Sequence, residues 1–249
     1  MKVVILAAGK GSRIENYTGV HSKCLITFKG KPIILYAIDY LSRFEFFNEF
    51  IIVVGHDADN IIRYIGNTIN GKKITYIKQK VLNGIIGAIE VVKEEIGNDN
   101  FYMQLGDEVF VNQHIENGYN TFTRNNLDCL FGVVHVEDKS QVKNCYSVEY
   151  NDNKIINFVE KPKEVFNNIC GTGSVFFESK VLNWLSEVEY NKNGSRDMVT
   201  LFDLILQKTG KIKSYNTAEQ YVNVNSEKDL RFLNEIEKLS GKSPVSQDI

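Results

Sequence analysis

The chain has 249 residues, 43% hydrophobic and 24% charged, which suits one α/β domain or a domain with a modest addition. Its formal net charge of −2 excludes general nucleic-acid binding, which needs a basic stripe, but allows a local cluster of cations around a phosphate-bearing small molecule. The apolar run at residues 3–8 is too short for a signal sequence, and no run is long enough for a membrane span, so we expect a soluble cytoplasmic protein.

Strand and helix patterns alternate through the first half of the chain. Residues 2–8 form a continuous apolar run that ends at glycine, which predicts a buried central strand. Helix, strand, helix, strand, helix and strand patterns follow at residues 32–44, 50–54, 57–65, 74–77, 85–96 and 101–105. Repeated βα units of this size predict a parallel sheet with helices on both faces.

The second half has more strand character. Strands are predicted at residues 127–136 and 170–177, and a hairpin at 146–158 that turns at 151–153. Helices follow at residues 179–188 and 198–209, then short strands near Ile212 and Tyr221, and a last helix at 227–239 with Ser226 as its N-cap. We expect a single domain over residues 1–240 and a flexible polar tail at 241–249.

The cysteines and histidines carry no recognisable site. Cys24, Cys129, Cys145 and Cys170 show neither CxxC nor Cys/His spacing, and we interpret them as reduced thiols in the core. The histidines have no ligand spacing either, and none is assigned a catalytic role.

A glycine-rich loop follows the first strand. In Leu6-Ala7-Ala8-Gly9-Lys10-Gly11-Ser12-Arg13 two glycines let backbone N–H groups approach an anion, and Lys10 and Arg13 add positive charge. A tight strand-to-helix turn with exposed basic residues accounts for the glycines equally well. A dinucleotide-binding fingerprint would need glycine in place of Ile14, and the spacing also excludes a P-loop.

This loop resembles the signature L-A-A/G-G-x-G-T/S-R of the nucleotidyltransferase family. Lys23 stands at the position of the family's lysine, with Ser22 replacing proline, and Gly30-Lys31-Pro32 resembles the helix start that follows. The resemblance implies a Rossmann-like three-layer αβα fold with a mostly parallel mixed central sheet (GT-A-like), with residues 1–126 binding nucleotide and 127–240 binding acceptor. It implies two catalytic cations, Arg13 and Lys23, and nucleotide contacts from Leu6, Ala8, Gly9, Lys10, Gly11 and Ser12.

Asp107 is the candidate magnesium ligand. It follows a predicted strand, and ligands of open parallel sheets bind beyond the carboxyl ends of strands, although an aspartate there can also cap a turn. By resemblance it corresponds to the family's metal-binding and nucleotide-contacting aspartate. Asn223 stands where many members have a second carboxylate, and its neutral carbonyl oxygen can ligate Mg²⁺ with less electrostatic attraction.

Three further segments match the family more weakly. Glu160-Lys161-Pro162 resembles an E-K-P motif whose glutamate contacts acceptor hydroxyls and whose lysine, here Lys161, is a catalytic contact to the acceptor phosphate; a strand end closed by proline is the alternative. The stretch from Gly171 to Phe177, which includes Gly173, resembles an acceptor-lining strand with two residues changed. Gln79 and Gly84 match the spacing of an element that faces the nucleobase.

Arg196-Asp197 allows two interpretations. The arginine could contact a phosphate, but we favour a surface pair at the start of a helix.

The resemblance implies an enzyme that joins the NMP part of a nucleoside triphosphate to a small phosphorylated acceptor and releases pyrophosphate, with Mg²⁺ as cofactor. We favour CTP and a non-sugar acceptor, such as phosphocholine or the phosphoglutamine of capsule phosphoramidate synthesis. The alternatives are a sugar-1-phosphate nucleotidyltransferase that uses dTTP or CTP, and a non-catalytic nucleotide-binding module. No nucleic-acid or membrane partner is expected, and a homo-oligomer is compatible with the sequence.

Overall fold

The computed structural model describes residues 1–9, 22–191 and 194–240. Lys10, Gly11, Ser12 and Arg13 therefore lie outside the described residues, as does the tail 241–249. The chain forms two units, each assembled from separated stretches. The first contains Met1–Leu82, Gln104–Asn112 and Gln220–Ile249, and the second contains Asn83–Met103 and Gln113–Glu219.

The strands of the described residues are numbered in chain order. They are β1 (Lys2–Ala7), β2 (Thr27–Phe28), β3 (Lys31–Pro32), β4 (Glu49–Val54), β5 (Thr68–Ile69), β6 (Lys72–Lys78), β7 (Phe101–Leu105), β8 (Glu108–Gln113), β9 (Cys129–His135), β10 (Tyr146–Asn151), β11 (Lys154–Glu160), β12 (Ile169–Phe177), β13 (Ile212–Asn216) and β14 (Ala218–Asn223).

The α-helices are numbered in the same way. They are α1 (Ile33–Leu41), α2 (Ala58–Ile65), α3 (Ile85–Glu90), α4 (Lys93–Ile96), α5 (Ile115–Arg124), α6 (Met198–Thr209) and α7 (Glu227–Ser240). Short 3₁₀ helices occur at Lys23–Leu25, Lys139–Asn144, Ser179–Asn183 and Leu185–Glu187. Within the described ranges no helix has the length and apolar character needed to cross a membrane.

The first unit contains the predicted parallel sheet. Strand β4 pairs in parallel with β1 on one side and β6 on the other, and the short β5 adds an antiparallel edge. The apolar residues of β1 and β4 are buried along their whole length, which explains why these strands read as continuous apolar runs rather than as an alternation. A separate pairing joins β14 to β8.

The second unit has a mixed sheet in the order β13-β9-β12-β7. Strand β12 runs antiparallel to both β7 and β9, whereas β13 runs parallel to β9. Strands β10 and β11 form the predicted hairpin. The core of this unit contains interleaved aromatic rings, and the centroid of the Phe131 ring lies 5.2 Å from that of Phe158 and 5.1 Å from that of Phe202. The α/β fold with a mostly parallel mixed central sheet is thus confirmed.

Two predicted helices differ from the structure. The pattern at residues 85–96 forms two helices, α3 and α4, which are separated by Val91 and Val92. The pattern at residues 179–188 forms 3₁₀ turns instead of an α-helix. The Ser226 cap is confirmed, because its hydroxyl accepts a hydrogen bond from the Asp229 backbone N–H.

The prediction of four reduced thiols is wrong for one pair. Cys145 and Cys170 form a disulfide in the second unit, with Cα atoms 5.7 Å apart, whereas Cys24 and Cys129 are free and buried. Cys145 directly precedes β10, and Cys170 lies on β12, which packs against β10. The sequence separation of 25 residues did not reveal this proximity, because it arises only once the strands are packed.

Candidate functional site

The Gly106-Asp107 turn lies against the carboxyl end of β1. The Gly106 N–H donates to the Leu6 carbonyl at 2.9 Å. A Cβ at Gly106 would lie 3.0 Å from Cys24 Sγ and 3.2 Å from the Leu6 oxygen, so only glycine lets the turn approach so closely. Asp107 is therefore held at the edge of the parallel sheet where ligands bind in this class of fold.

Lys23 connects Asp107 to two asparagines. Its Nζ lies 2.5 Å from Asp107 Oδ2 and donates to Asn225 Oδ1 at 2.7 Å, with the two charged side chains only 18% and 15% exposed. Asn225 Nδ2 in turn donates to Asn223 Oδ1 at 2.7 Å. Three residues singled out from distant parts of the sequence (Lys23, Asp107 and Asn223) therefore lie in one polar cluster, although their catalytic roles stay predictions.

Strand alternation explains how this cluster is positioned. Val222 and Val224, on either side of Asn223, are buried in one apolar core with Val109 and Val111 of β8. Because successive side chains of a strand point to opposite faces, Asn223 lies on the other face of β14. The Val224 N–H donates to the Asp107 carbonyl at 3.0 Å, which ties the end of β14 to the start of β8.

Two further residues on that face were missed by the sequence analysis. The Tyr221 hydroxyl donates to Glu108 Oε1 at 2.8 Å, and the Tyr221 ring packs on Phe110 at 5.3 Å. Burial, together with the Glu108 carboxylate, raises the pKa of Tyr221 well above its usual value. The tyrosine therefore remains a neutral hydroxyl at physiological pH, and Glu108 is a buried carboxylate that belongs to the neighbourhood of Asn223.

The neighbouring thiol does not contribute chemistry. Burial, and secondarily the negative charge of Asp107, raises the pKa of Cys24 to about 12. The thiolate is the nucleophilic and metal-binding form of cysteine, so Cys24 acts here as a small apolar side chain.

The donor set fits a magnesium ion that is held partly by substrate. Asp107 and Asn223 offer hard oxygen donors, and Mg²⁺ is commonly bound by one or two carboxylates plus substrate phosphates and waters. Over residues 1–9, 22–191 and 194–240 no group of three or more histidine, cysteine or acidic side chains forms a self-sufficient metal site. These residues would therefore hold a metal together with the phosphates of a bound nucleotide.

The described start of the glycine loop is packed against the residues that follow β4. Leu6 and Ala8 are buried, and Gly9 is exposed with open space where a Cβ would be. The Ala8 carbonyl accepts a hydrogen bond from His56 N at 3.4 Å, and Gly55 is so close that a Cβ there would lie 2.7 Å from the same oxygen. The residues after β1 and β4 are thus packed together beside the predicted loop.

The two residues of the predicted base-facing element belong to different units. Gln79 is buried in the first unit, where its N–H continues the parallel pairing by donating to the Val54 carbonyl at 2.8 Å. Gly84 belongs to the second unit, where it forms a bridge with Arg196.

The interpretation of Arg196 as a surface residue is wrong. Its side chain is buried and grips both carboxylate oxygens of Glu90 on α3, and it also donates to the Leu185 carbonyl at 3.1 Å. The Arg196 backbone forms hydrogen bonds to residues before and after Gly84. Arg196 N donates to Asn83 O at 3.2 Å, and Arg196 O accepts from Ile86 N at 3.4 Å. Asp197 caps α6 as a helix-start residue.

Gly84→Ala is expected to destabilise the protein because the new methyl group has no room. A Cβ at Gly84 (φ +97°) would lie 2.4 Å from the Arg196 carbonyl oxygen. We expect a loss of about 2–3 kcal/mol in the free energy of unfolding, or about 5–10 °C in Tm by calorimetry. Gly71→Ala is the matched control, with a similarly positive φ of +76° but open space around the Cβ. Equal Tm losses in the two variants would contradict this account of Gly84.

The acceptor-side candidates lie in the second unit. The Lys161 side chain is 63% exposed and pairs with Glu160 at 3.1 Å, and the Lys161 N–H donates to the carbonyl of Cys145. Gly173 is buried in β12 at a shift of register against β9 between Gly171 and Val175. The disulfide therefore connects two parts of the acceptor side. Cys145, whose carbonyl accepts from the Lys161 backbone, is linked to Cys170 on β12, the strand that contains Gly173.

Known proteins share both the sequence pattern and the fold. UTP–glucose-1-phosphate uridylyltransferase AglF of Haloferax volcanii is 28% identical over 83% of this chain and 84% of its own length. A glucose-1-phosphate thymidylyltransferase of Streptomyces antibioticus is 24% identical over 86% of this chain, but the match covers only 60% of that relative. The crystal structure of a UDP-glucose pyrophosphorylase with UDP-glucose superposes with a TM-score of 0.81 at 18% identity, covering 96% of this chain and 98% of that one.

The family model described as nucleotidyl transferase matches residues 2–221, a span that contains β1, Lys23, the Gly106-Asp107 turn and the E-K-P motif. The chain belongs to the nucleotidyl transferase family, and its relatives are sugar-1-phosphate nucleotidyltransferases.

Proposed function

We propose that this protein transfers the NMP part of a nucleoside triphosphate to a sugar 1-phosphate and releases pyrophosphate. The observation that carries the proposal is the Lys23–Asp107 pair, which lies beside the carboxyl end of β1. A cation and a magnesium-type carboxylate at this place suit a polyphosphate ligand. The sugar 1-phosphate acceptor rests on the names of the relatives, which act on glucose 1-phosphate.

The reaction needs positioning and charge neutralisation rather than a general base. The second pKa of a phosphate monoester is about 6, so the acceptor phosphate is largely dianionic near neutral pH and can attack the α-phosphorus directly. A bond forms from the acceptor oxygen to the α-phosphorus, while the bond to the bridging oxygen breaks and pyrophosphate leaves with the electron pair. Magnesium, when bound, supplies positive charge against the phosphates.

Each residue has one role in this proposal. Lys23 and Arg13 neutralise the negative charge on the triphosphate and on the departing pyrophosphate, and the loop from Gly9 binds the phosphates through backbone N–H groups. Asp107 and Asn223 are the side chains that would hold the metal. On the acceptor side, Lys161 is proposed to bind the acceptor phosphate; its exposed ammonium is compatible with that role.

A second candidate is CMP transfer from CTP to a non-sugar phosphate. It is favoured by the acceptor-type strand, where Gly171-Thr172-Gly173-Ser174 departs from the family pattern. Thr172 and Ser174 are buried in a network with Thr217, Tyr102 and Tyr215 instead of lining an open surface. A different acceptor chemistry would account for this change.

A pyrophosphate-release assay tests both candidates. The purified chain would be incubated with Mg²⁺ and each of CTP, UTP, dTTP and ATP, against glucose 1-phosphate, other sugar 1-phosphates, phosphocholine and phosphoglutamine. We expect one pair to exceed all the others in kcat/KM by about tenfold or more, the discrimination available from a few polar contacts. Nucleotide binding without turnover of any pair would contradict catalysis and favour a non-catalytic nucleotide-binding module.

A further inference from the structure

The cluster around Asn223 is a chain of hydrogen bonds with a fixed direction. It runs from Lys23 to Asn225 and from Asn225 to Asn223. The Lys23 end is chemically unambiguous, because an ammonium only donates hydrogen bonds. Each asparagine along the chain must therefore orient its amide to match.

The Lys23 end determines the orientation of Asn225. Because the ammonium donates at 2.7 Å, Asn225 must present Oδ1 to it and turn Nδ2 the other way. That Nδ2 then donates to Asn223 Oδ1 at 2.7 Å and to the Asn223 carbonyl at 3.3 Å. The Asn225 backbone is held as well, since its N–H donates to Asp229 Oδ2 at 2.9 Å.

The same argument orients Asn223. Because Asn225 Nδ2 is a donor, the Asn223 atom 2.7 Å from it is the carbonyl oxygen Oδ1, and the Asn223 amide nitrogen points the other way. The Lys23 end of the chain thus directs the Asn223 carbonyl oxygen toward Asn225.

We infer that Asn225 is a positioning residue that presents the carbonyl oxygen of Asn223, and not its amide nitrogen, to a cation held by Asp107. This inference rests on the proposed function for the presence of a magnesium site. It explains how a neutral side chain can serve at a position where a carboxylate would need no orientation: a carboxylate offers an oxygen on either side, whereas an amide offers one only when it is turned correctly. The second lone pair of Asn223 Oδ1 remains for a metal, since a carbonyl oxygen accepts twice.

The Asn225→Asp variant distinguishes a change in the orientation of the Asn223 amide from a simple gain of negative charge near the cation. An aspartate at 225 would accept from Lys23 and could also accept from Asn223 Nδ2, so it would turn the Asn223 amide around. The added negative charge alone would strengthen cation binding, whereas loss of the oxygen ligand would weaken it. We expect the Kd for Mn²⁺ alone, measured by electron paramagnetic resonance, to rise about tenfold, the usual effect of losing a partner that orients a metal ligand. Asn223→Ala should weaken Mn²⁺ binding to a similar extent.

Two further variants complete the test. Asn120→Asp makes the same change at an exposed position of α5 and should leave the Kd for Mn²⁺ unchanged. Asn225→Ala loosens the amide without adding charge and should raise the Kd; it also serves if Asn225→Asp does not fold. Mn²⁺ binding by Asn225→Asp that equals or exceeds the wild-type affinity, or an unchanged Kd in Asn223→Ala, would overturn the inference. These measurements of Mn²⁺ binding need no turnover, so their outcome is independent of the pyrophosphate-release assay.

Discussion

Replacing Lys23 by alanine is expected to lower kcat about 10³-fold, in line with the loss of a single group that neutralises developing charge in phosphoryl or acyl transfer. The Lys23 ammonium contacts Asp107 and Asn225, and its removal takes away one of the positive charges proposed to neutralise a bound triphosphate. Single-turnover measurement of pyrophosphate release, with the substrate pair found in the assay above, determines the effect on the chemical step.

Two variants serve as controls for Lys23→Ala. Lys23→Arg keeps the charge but replaces a compact ammonium by a planar guanidinium, so its kcat should lie between those of Lys23→Ala and the wild type. Lys93→Ala removes an exposed lysine at the start of α4 and should leave kcat unchanged. A Lys23→Ala variant that folds and retains near-normal kcat would show that Lys23 is not part of the catalytic machinery.

Asp107→Asn is expected to lower kcat by about 10³-fold or more and to raise the magnesium concentration needed for half-maximal rate. The substitution preserves size, and its carbonyl oxygen can still accept from Lys23, so the change is mainly the loss of one negative charge. The two proposed metal ligands would then both be neutral, since residue 223 is already an asparagine. Initial rates across a magnesium titration measure both effects.

The control for Asp107→Asn is Asp59→Asn, which removes an exposed carboxylate from the first turn of α2. It should leave both kcat and the magnesium requirement unchanged. If Asp107→Asn shows the wild-type magnesium dependence, Asp107 is not a metal ligand, and the proposed mechanism loses its electrostatic basis.

Much of the parallel sheet could be predicted from the sequence because its strands are buried on both faces. The apolar runs of β1, β4 and β7 need no knowledge of their partners. Helix α5 was missed, since its Asn, Gly and Thr residues have weak helix propensity. It is stabilised by burial of Ile115, Gly118 and Phe122, which lie on one face of the helix.

The candidate site was predictable only where single residues stand in a recognisable motif. Lys23, Asp107 and Asn223 were singled out in this way, whereas their neighbours Asn225, Tyr221 and Glu108 were not. The contact between Tyr221 and Glu108 joins residues 113 positions apart and depends on the pairing of β8 with β14. The alternation of polar Tyr221, Asn223 and Asn225 with apolar Val222 and Val224 was a usable signal, since it predicts one shared polar face.

The environment of Arg196 could not be predicted from the sequence. A charged residue before a helix is usually exposed, and its burial depends on Glu90, which lies 106 positions away. No local pattern predicts such a partner.

A crystal structure with the preferred nucleotide, or its non-hydrolysable analogue, and Mg²⁺ bound tests the central claim most directly. We predict that the triphosphate contacts Lys23 and that the metal is coordinated by Asp107 and by the carbonyl oxygen of Asn223. A triphosphate bound far from Lys23, or a metal that Asp107 does not coordinate, would contradict it.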